Sequence, residues 1–365
     1  MQLYLPPDNR YRALDQYLMD GKIRRIFLVC GKSLRRLPAG AYFEALEVRL
    51  GIRVVTFSDF SPNPSYESVV DGTSRFREAG CDFIAAAGGG SAIDVAKCVK
   101  RFANMELTRN CLEQTAAPGD ASLLAIPTTA GTGSEATRFA VIYYQGRKHS
   151  VAHDDCLPNA VLLDPRLLET LPEYHRKVSM LDALCHAVES VWSLRASPES
   201  RDYACRAIRQ LLGSMDDYLQ NTPDGNLNML EAANLAGKAI NLAQTTAGHA
   251  LCYGLTSLYG LAHGHAAALC VRRLWPYMVQ NVKLSARPAE LENAFRALAE
   301  AMDCDSAEES VTKYGRILDS LGLPAPETKE EEYAVLTRTV NTQRLQNNPV
   351  PLDAADIEAL YRQIL

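Results

Sequence analysis

The sequence predicts an α/β domain built on a parallel sheet, followed by an all-helical domain. Three observations lead there. The first 165 residues alternate short apolar runs with longer amphipathic ones, the pattern of a doubly wound parallel sheet. Beyond Asp164 the texture changes to long helical patterns with few β-branched runs. A length of 365 residues also suits two domains of roughly 100–200 residues each.

In chain order the expected strands are Arg25–Cys30, Arg53–Phe57, Asp82–Ala87, Ser122–Ile126, Phe139–Tyr144 and Ala160–Leu163. Helix-like stretches at 34–49, 65–79 and 91–103 separate the first four. The segment DPRLLETLPEYH (164–175), with its two prolines, is the natural junction, so domains are expected over 1–170 and 171–365. In the second of these, 200–220 and 226–258 read as long helices, and KEEEY (329–333) as a solvated helix start. No internal repeat is visible.

Composition bounds the function classes. Hydrophobic residues make up 47% and charged ones 22%, ordinary for a soluble globular chain. The net charge of −5 argues against a nucleic-acid binder that relies on a positive field. No apolar run reaches the roughly 18 residues of a membrane span, and no basic-then-apolar leader opens the chain. A soluble, cytoplasmic protein with neither nucleic-acid nor membrane partners is expected. Ten cysteines occur without a CxxC pair, mostly in apolar surroundings such as IFLVCG and AAALCV. Packing, not disulfides or metal, is their expected role.

Gly88, Gly89, Gly90 and Ser91 fall directly between an apolar strand and a helix. Glycines there let the backbone approach a ligand, and the helix N-terminus offers unpaired N–H groups to phosphate oxygens. Asp94 is expected in the first turn of that helix, where it complements the dipole. The run is neither GxGxxG nor a P-loop, and a plain tight turn would read the same way. A second run, LLAIPTTAGTGSEAT, gathers Thr128, Thr129, Thr132, Ser134 and Thr137 around Gly131 and Gly133 after another strand. It suits a second ligand turn or a helix start capped by Thr132 or Ser134. Two such turns in one sheet favour the ligand.

Asp182 and His186 are four residues apart and share one face of a helix whose other positions are mostly apolar. Burying both there is costly unless a hydrogen bond or a divalent metal compensates. His249, His263 and His265 follow in one segment, so four of the seven histidines lie in two stretches. One aspartate with three histidines suits Fe²⁺ or Zn²⁺ better than Mg²⁺ or Ca²⁺. Spacing alone leaves a metal site and a set of satisfied core histidines equally open.

In this order and spacing, GGGSAIDVAK, IPTTAGTGSEAT, DALCHAVE and the GHA…HGHA segment resemble the iron-dependent (group III) alcohol dehydrogenase family, from about residue 25 to 275. The resemblance implies the dehydroquinate synthase-like fold of the iron-type enzymes: a dinucleotide-binding α/β domain, a helical domain, and a catalytic metal in the cleft between. The ligands would be Asp182, His186, His249 and His263, all present here. It implies NADPH or NADH contacts from Gly89, Gly90 and Ser91 to the pyrophosphate. Thr128, Thr129, Thr132 and Lys148 would serve nearer the ribose and nicotinamide. The implied reaction is hydride transfer between that cofactor and a small aldehyde or primary alcohol, in a homodimer. Lyases similar to 3-dehydroquinate synthase share the fold, but the TTAGTGSE turn and the HGHA segment fit the dehydrogenases better.

Two departures from the family pattern matter. NAD-preferring relatives often carry an aspartate after the first strand, where this chain has Gly31, with Lys32, Arg35 and Arg36 nearby. That favours NADPH by admitting a 2′-phosphate. Many relatives also carry a histidine where this chain has Tyr253, which leaves Tyr253, His265 or water to relay the proton. The stretch TRFAVIYYQGRKHSVAH resembles the branch that reduces phosphonoacetaldehyde. Arg138, Arg147 and His153 in it would suit an anionic head group, or else be exposed sheet-end residues. Sulfoacetaldehyde and short-chain aliphatic aldehydes are the alternative substrates.

Overall fold

The computed structural model describes residues 2–115, 117, 119–340 and 345–365. The chain divides into two compact units, one holding the residues up to Thr129 together with Gly133–Leu171. The other holds Ala130–Thr132 and everything from Pro172 onward.

In the first unit six parallel strands form one sheet: β1 (Leu3–Leu5), β2 (Arg25–Cys30), β3 (Arg53–Phe57), β4 (Phe83–Gly88), β5 (Ser122–Pro127) and, after a separate hairpin, β8 (Ala160–Leu162). Their spatial order is β1-β8-β5-β4-β2-β3. The inner strands β2, β4, β5 and β8 read as near-continuous apolar runs because both faces are covered. In β2, Ile26, Leu28 and Cys30 enter one core while Phe27 and Val29 enter the other. The helices are α1 (Arg12–Asp20), α2 (Pro38–Leu50), α3 (Tyr66–Glu78) and α4 (Gly90–Phe102). Proline opens α2, and the Ser65 hydroxyl caps α3 by accepting from the amide of Ser68 at 3.1 Å.

Two expectations are corrected here. Phe139–Tyr144 is a strand, β6, but it pairs antiparallel with β7 (Arg147–Ala152) outside the main sheet. The turn between them places Gln145 and Gly146 at φ 51° and 72°, the geometry that matches hairpin twist. β7 escapes a hydrophobicity reading because RKHSVA is largely polar. Asp94 lies beyond the first turn of α4 and is buried, so it is a core partner and not a dipole complement.

The second unit is helical throughout: α5 (Glu173–Trp192), α6 (Pro198–Leu219), α7 (Pro223–Ala243), α8 (Ala247–Tyr259), α9 (His263–Gln280), α10 (Pro288–Ala301), α11 (Ala307–Leu321), α12 (Glu330–Thr339) and α13 (Ala354–Ile364). Every residue from Met180 to Trp192 is buried, so α5 is the central helix on which α6, α7 and α9 pack. The long helix expected over 226–258 is broken between α7 and α8. Gln244 adopts φ 59° and ψ 166°, a conformation that costs a non-glycine residue energy and is tolerated only where neighbouring bonds enforce it. Among the described residues no helix is long and apolar enough to cross a membrane. All ten cysteines are free and seven are buried, as packing residues should be.

Candidate functional site

The glycine turns lie where open parallel sheets bind ligands. Strand order reverses between β2 and β4, and the crevice at such a switch point is the usual ligand position. Gly31 leaves β2 there and its amide lies beside Gly88, the last residue of β4. Gly89 precedes α4, Gly90 and Ser91 open it, and no side chain caps its amides. The neighbouring strand β5 ends in register, Gly88 opposite Pro127, and the Thr128 amide donates to the Gly88 carbonyl at 3.0 Å. Thr129 then packs beside Gly89. The six positions Gly88–Ser91, Thr128 and Thr129 therefore form one continuous edge. Thr132 belongs with the helical unit. Lys148 is half-buried on β7 opposite Tyr143, and its charge acts on Asp94. The expected capping by Thr132 or Ser134 is not found: Gly133 precedes the short 3₁₀ turn and the Ser134 hydroxyl donates to Asp94.

The second group lies within the helical unit. Asp182 and His186 come from α5, His249 from the first turn of α8, and His263 from the first residue of α9. Donor atoms of Asp182, His249 and His263 all lie within 4.8 Å of one another. Gly264 permits this, because a Cβ there would stand 2.0 Å from the Val178 carbonyl and 2.7 Å from the Asp182 Cβ. Without glycine, α9 could not start against α5. His186 falls outside that group; its Nε2 is 3.9 Å from Asp182 Oδ1 and its ring stacks on His249 at a centroid distance of 4.4 Å.

Does this set fit a cation? His249 Nε2 lies 3.5 Å from Asp182 Oδ1, at the outer limit of a hydrogen bond. Among the described residues, buried Asp182 Oδ1, His249 Nε2 and His186 Nδ1 find no hydrogen-bond partner. Native structures rarely leave such atoms unpaired, and a place for an ion is one recognised reason. A carboxylate with imidazoles is the donor chemistry of Fe²⁺ and Zn²⁺. The residues fit.

Electrostatics agree with a site that gathers charge. Burial alone would raise the Asp182 carboxyl, but the imidazoles of His186, His249 and His263 outweigh it and hold the group below its ordinary range. Burial pushes His186 down to about 4, with the Asp182 carboxylate pulling the other way. For His249 burial also pulls downward, yet the carboxylates of Glu189 and Asp182 outweigh it and raise the ring to about 9.

Glu189 is the residue that sequence reasoning missed. Its side chain is fully buried, and Oε2 pairs with His249 Nδ1. The signal was present, since Asp182, His186 and Glu189 at i, i+4 and i+7 share one helical face. Of the proton-relay candidates, Tyr253 stacks on His263 with centroids 5.4 Å apart, and His265 Nδ1 lies 3.3 Å from the Tyr174 hydroxyl. Arg138 and His153 are engaged with carboxylates: Arg138 Nη1 is 2.8 Å from Asp154, and His153 Nδ1 is 2.6 Å from Asp155. Arg147 is exposed at the start of β7.

Residues 5–165 match the family model of iron-containing alcohol dehydrogenase, and residues 177–365 match that of the C-terminal part of the same family. A long-chain-alcohol dehydrogenase of Geobacillus thermodenitrificans is 31% identical over 85% of this chain and 82% of its own. The phosphonoacetaldehyde reductase of Streptomyces viridochromogenes is 36% identical over 58% of this chain and 57% of its own. A crystal structure of a 1,3-propanediol oxidoreductase superposes with a TM-score of 0.89 at 26% identity, covering 100% of this chain and 98% of that one.

Proposed function

The chain belongs to the iron-containing alcohol dehydrogenase family, and from that premise we propose how it interconverts an aldehyde and a primary alcohol. Asp182, His186, His249 and His263 hold Fe²⁺, with Zn²⁺ as the alternative, and NADPH is preferred to NADH as hydride carrier. The single observation that supports the reading best is the pair of buried, unpartnered atoms Asp182 Oδ1 and His249 Nε2. A cation bound by them would supply Lewis acidity toward the carbonyl or alkoxide oxygen, while the nicotinamide supplies or takes the hydride.

The chain's own side chains do the rest. Asp182 contributes negative charge from a position buried from solvent, where charge interactions are strengthened. Free amides at the start of α4, with Gly89, Gly90 and Ser91, receive the pyrophosphate. Thr128, Thr129, Thr132 and Lys148 orient the ribose and nicotinamide end. Gly31 leaves space after β2, and Lys32, Arg35 and Arg36 in the turn that follows supply positive charge for a 2′-phosphate.

The proposed substrate is an anionic aldehyde of the phosphonoacetaldehyde type, supported by the 36% identity to a reductase of that name. Sulfoacetaldehyde and short-chain aliphatic aldehydes are the alternatives. The decisive experiment compares kcat/KM for phosphonoacetaldehyde, sulfoacetaldehyde and butanal, each with NADPH and NADH, alongside metal content in wild type and Asp182→Ala. Loss of both metal and turnover in the variant is expected. Retained metal and activity would refute the ligand set, and a preference for butanal would refute the anionic substrate.

A further inference from the structure

We infer that Glu189 is a positioning residue that fixes the tautomer of His249 and thereby sets the affinity of the centre for its cation. The inference rests on reading Asp182, His249 and His263 as cation ligands.

Glu189 is saturated with donors on one side. Its Oε1 accepts from the amides of Thr246 at 3.1 Å and Gly248 at 2.9 Å, and from the Thr246 hydroxyl at 2.6 Å. The amide of His249 lies at 3.4 Å from the same oxygen. These are N–H groups that the first turn of α8 cannot satisfy internally, so the carboxylate acts as the cap of that helix from a different helix. At the break between α7 and α8 these amides turn toward Glu189. The Asn347 amide holds the other side of the break, donating to the carbonyls of Ala243 and Thr245 at 3.0 Å each. Gly248 belongs to the same device. A Cβ on it would stand 3.0 Å from Glu189 Oε1 and 2.7 Å from Val271.

With Oε1 committed to the loop, Oε2 faces His249 Nδ1. A carboxylate oxygen only accepts, so Nδ1 keeps its hydrogen, and a bound cation would take the place of a proton on Nε2. That nitrogen is the one left without a partner beside Asp182. A ligating histidine whose other nitrogen donates to a carboxylate is held in one tautomer and orientation, and losing such a partner weakens metal binding about 10–100-fold.

Glu189→Gln discriminates sharply. The amide has one acceptor oxygen, and the loop's N–H and O–H donors claim it. The –NH₂ then faces His249 Nδ1, which must accept, so the hydrogen moves to Nε2 where a cation should bind.

The test titrates Zn²⁺ into the chelator-stripped full chain in competition with a chromophoric chelator. Glu189→Gln should bind about 10–100-fold more weakly than wild type. Asp164→Asn alters an equally buried carboxylate in the other unit; it should bind within about twofold of wild type even if less stable. Thr246→Ala removes one hydrogen bond to Oε1 and should weaken binding about threefold. Should Glu189→Gln fail to fold, unchanged affinity in Thr246→Ala overturns the proposal. So does wild-type affinity in a folded Glu189→Gln while His249→Ala binds poorly. Wild-type affinity in His249→Ala would instead overturn the metal centre, and this inference with it.

Discussion

Each unit buries an ionisable cluster on a helix, and the two clusters differ in whether they are closed. In the α/β unit, Lys97 on α4 donates to the Ser134 hydroxyl at 3.0 Å, the Thr137 hydroxyl at 3.0 Å and the Phe139 carbonyl at 2.6 Å. Asp94, one turn earlier, accepts from the Ser134 hydroxyl at 2.7 Å and the Val141 amide at 3.0 Å. Burial opposes both charges, raising Asp94 and lowering Lys97, but each finds partners. In the helical unit Asp182 Oδ1, His186 Nδ1 and His249 Nε2 have none among the described residues. Burial, charge and helical placement are alike in the two clusters. What separates them is completeness of hydrogen bonding: the closed cluster ties α4 to the loop and strand after β5, whereas the open one leaves buried polar atoms unpaired among the described residues.

The comparison can be broken by making one chemical change in both places. Asp182→Asn should lower kcat/KM on the order of 10³-fold, the equivalent of about 4 kcal/mol of lost charge stabilisation, with little change in urea midpoint. A variant that unfolded without losing metal would make the helical cluster architectural. Asp94→Asn should do the reverse: it leaves Lys97 buried without its counter-charge and costs about 3 kcal/mol in urea unfolding, while metal content per folded chain stays at wild type. Metal loss there, at full stability, would erase the distinction.

Smaller effects sharpen the division of labour. Gly31 has ordinary extended backbone, and a Cβ on it would meet nothing nearer than the Ser33 hydroxyl at 3.8 Å. Gly31→Asp should therefore fold normally and shift the ratio of kcat/KM from NADPH toward NADH by about tenfold; an unchanged ratio would remove this position from cofactor choice. Arg138→Ala breaks an exposed ion pair with Asp154 and should change stability by less than about 1 kcal/mol. It should leave kcat/KM unchanged for neutral and anionic aldehydes alike. A loss confined to the anionic aldehyde would make Arg138 a head-group ligand in spite of its carboxylate partner.

Much of this was legible in the sequence, for identifiable reasons. Strands β2 and β3 have the bounds expected of them, because each is a short run rich in apolar and β-branched residues between polar turns. The glycine turns announced themselves by residue type, and the histidines by clustering in two segments. The edge strand Leu3–Leu5 and the strand Arg147–Ala152 were missed because one is only three residues long and the other is half-exposed and polar. The helix break at Gln244–Thr246 was missed because nothing local demands it: neither glycine nor proline stands there, and the sequence pattern runs on as a helix.

Sequence alone, then, determined the α/β and helical halves, the succession of strands β2 to β5, the glycine turns and the identity of the candidate ligands, since these depend on residue type and on periodicity along one helix or strand. Tertiary structure decided which polar groups are complete and which are open. That is a property of contacts between segments far apart in the chain. Lys97 is satisfied by residues of the loop and strand that follow β5, and His249 Nδ1 meets Glu189, sixty residues earlier. Hydrogen bonding is directional and short-ranged, so no spacing rule foretells which buried atoms end without partners. Those atoms carry the chemistry proposed for this chain.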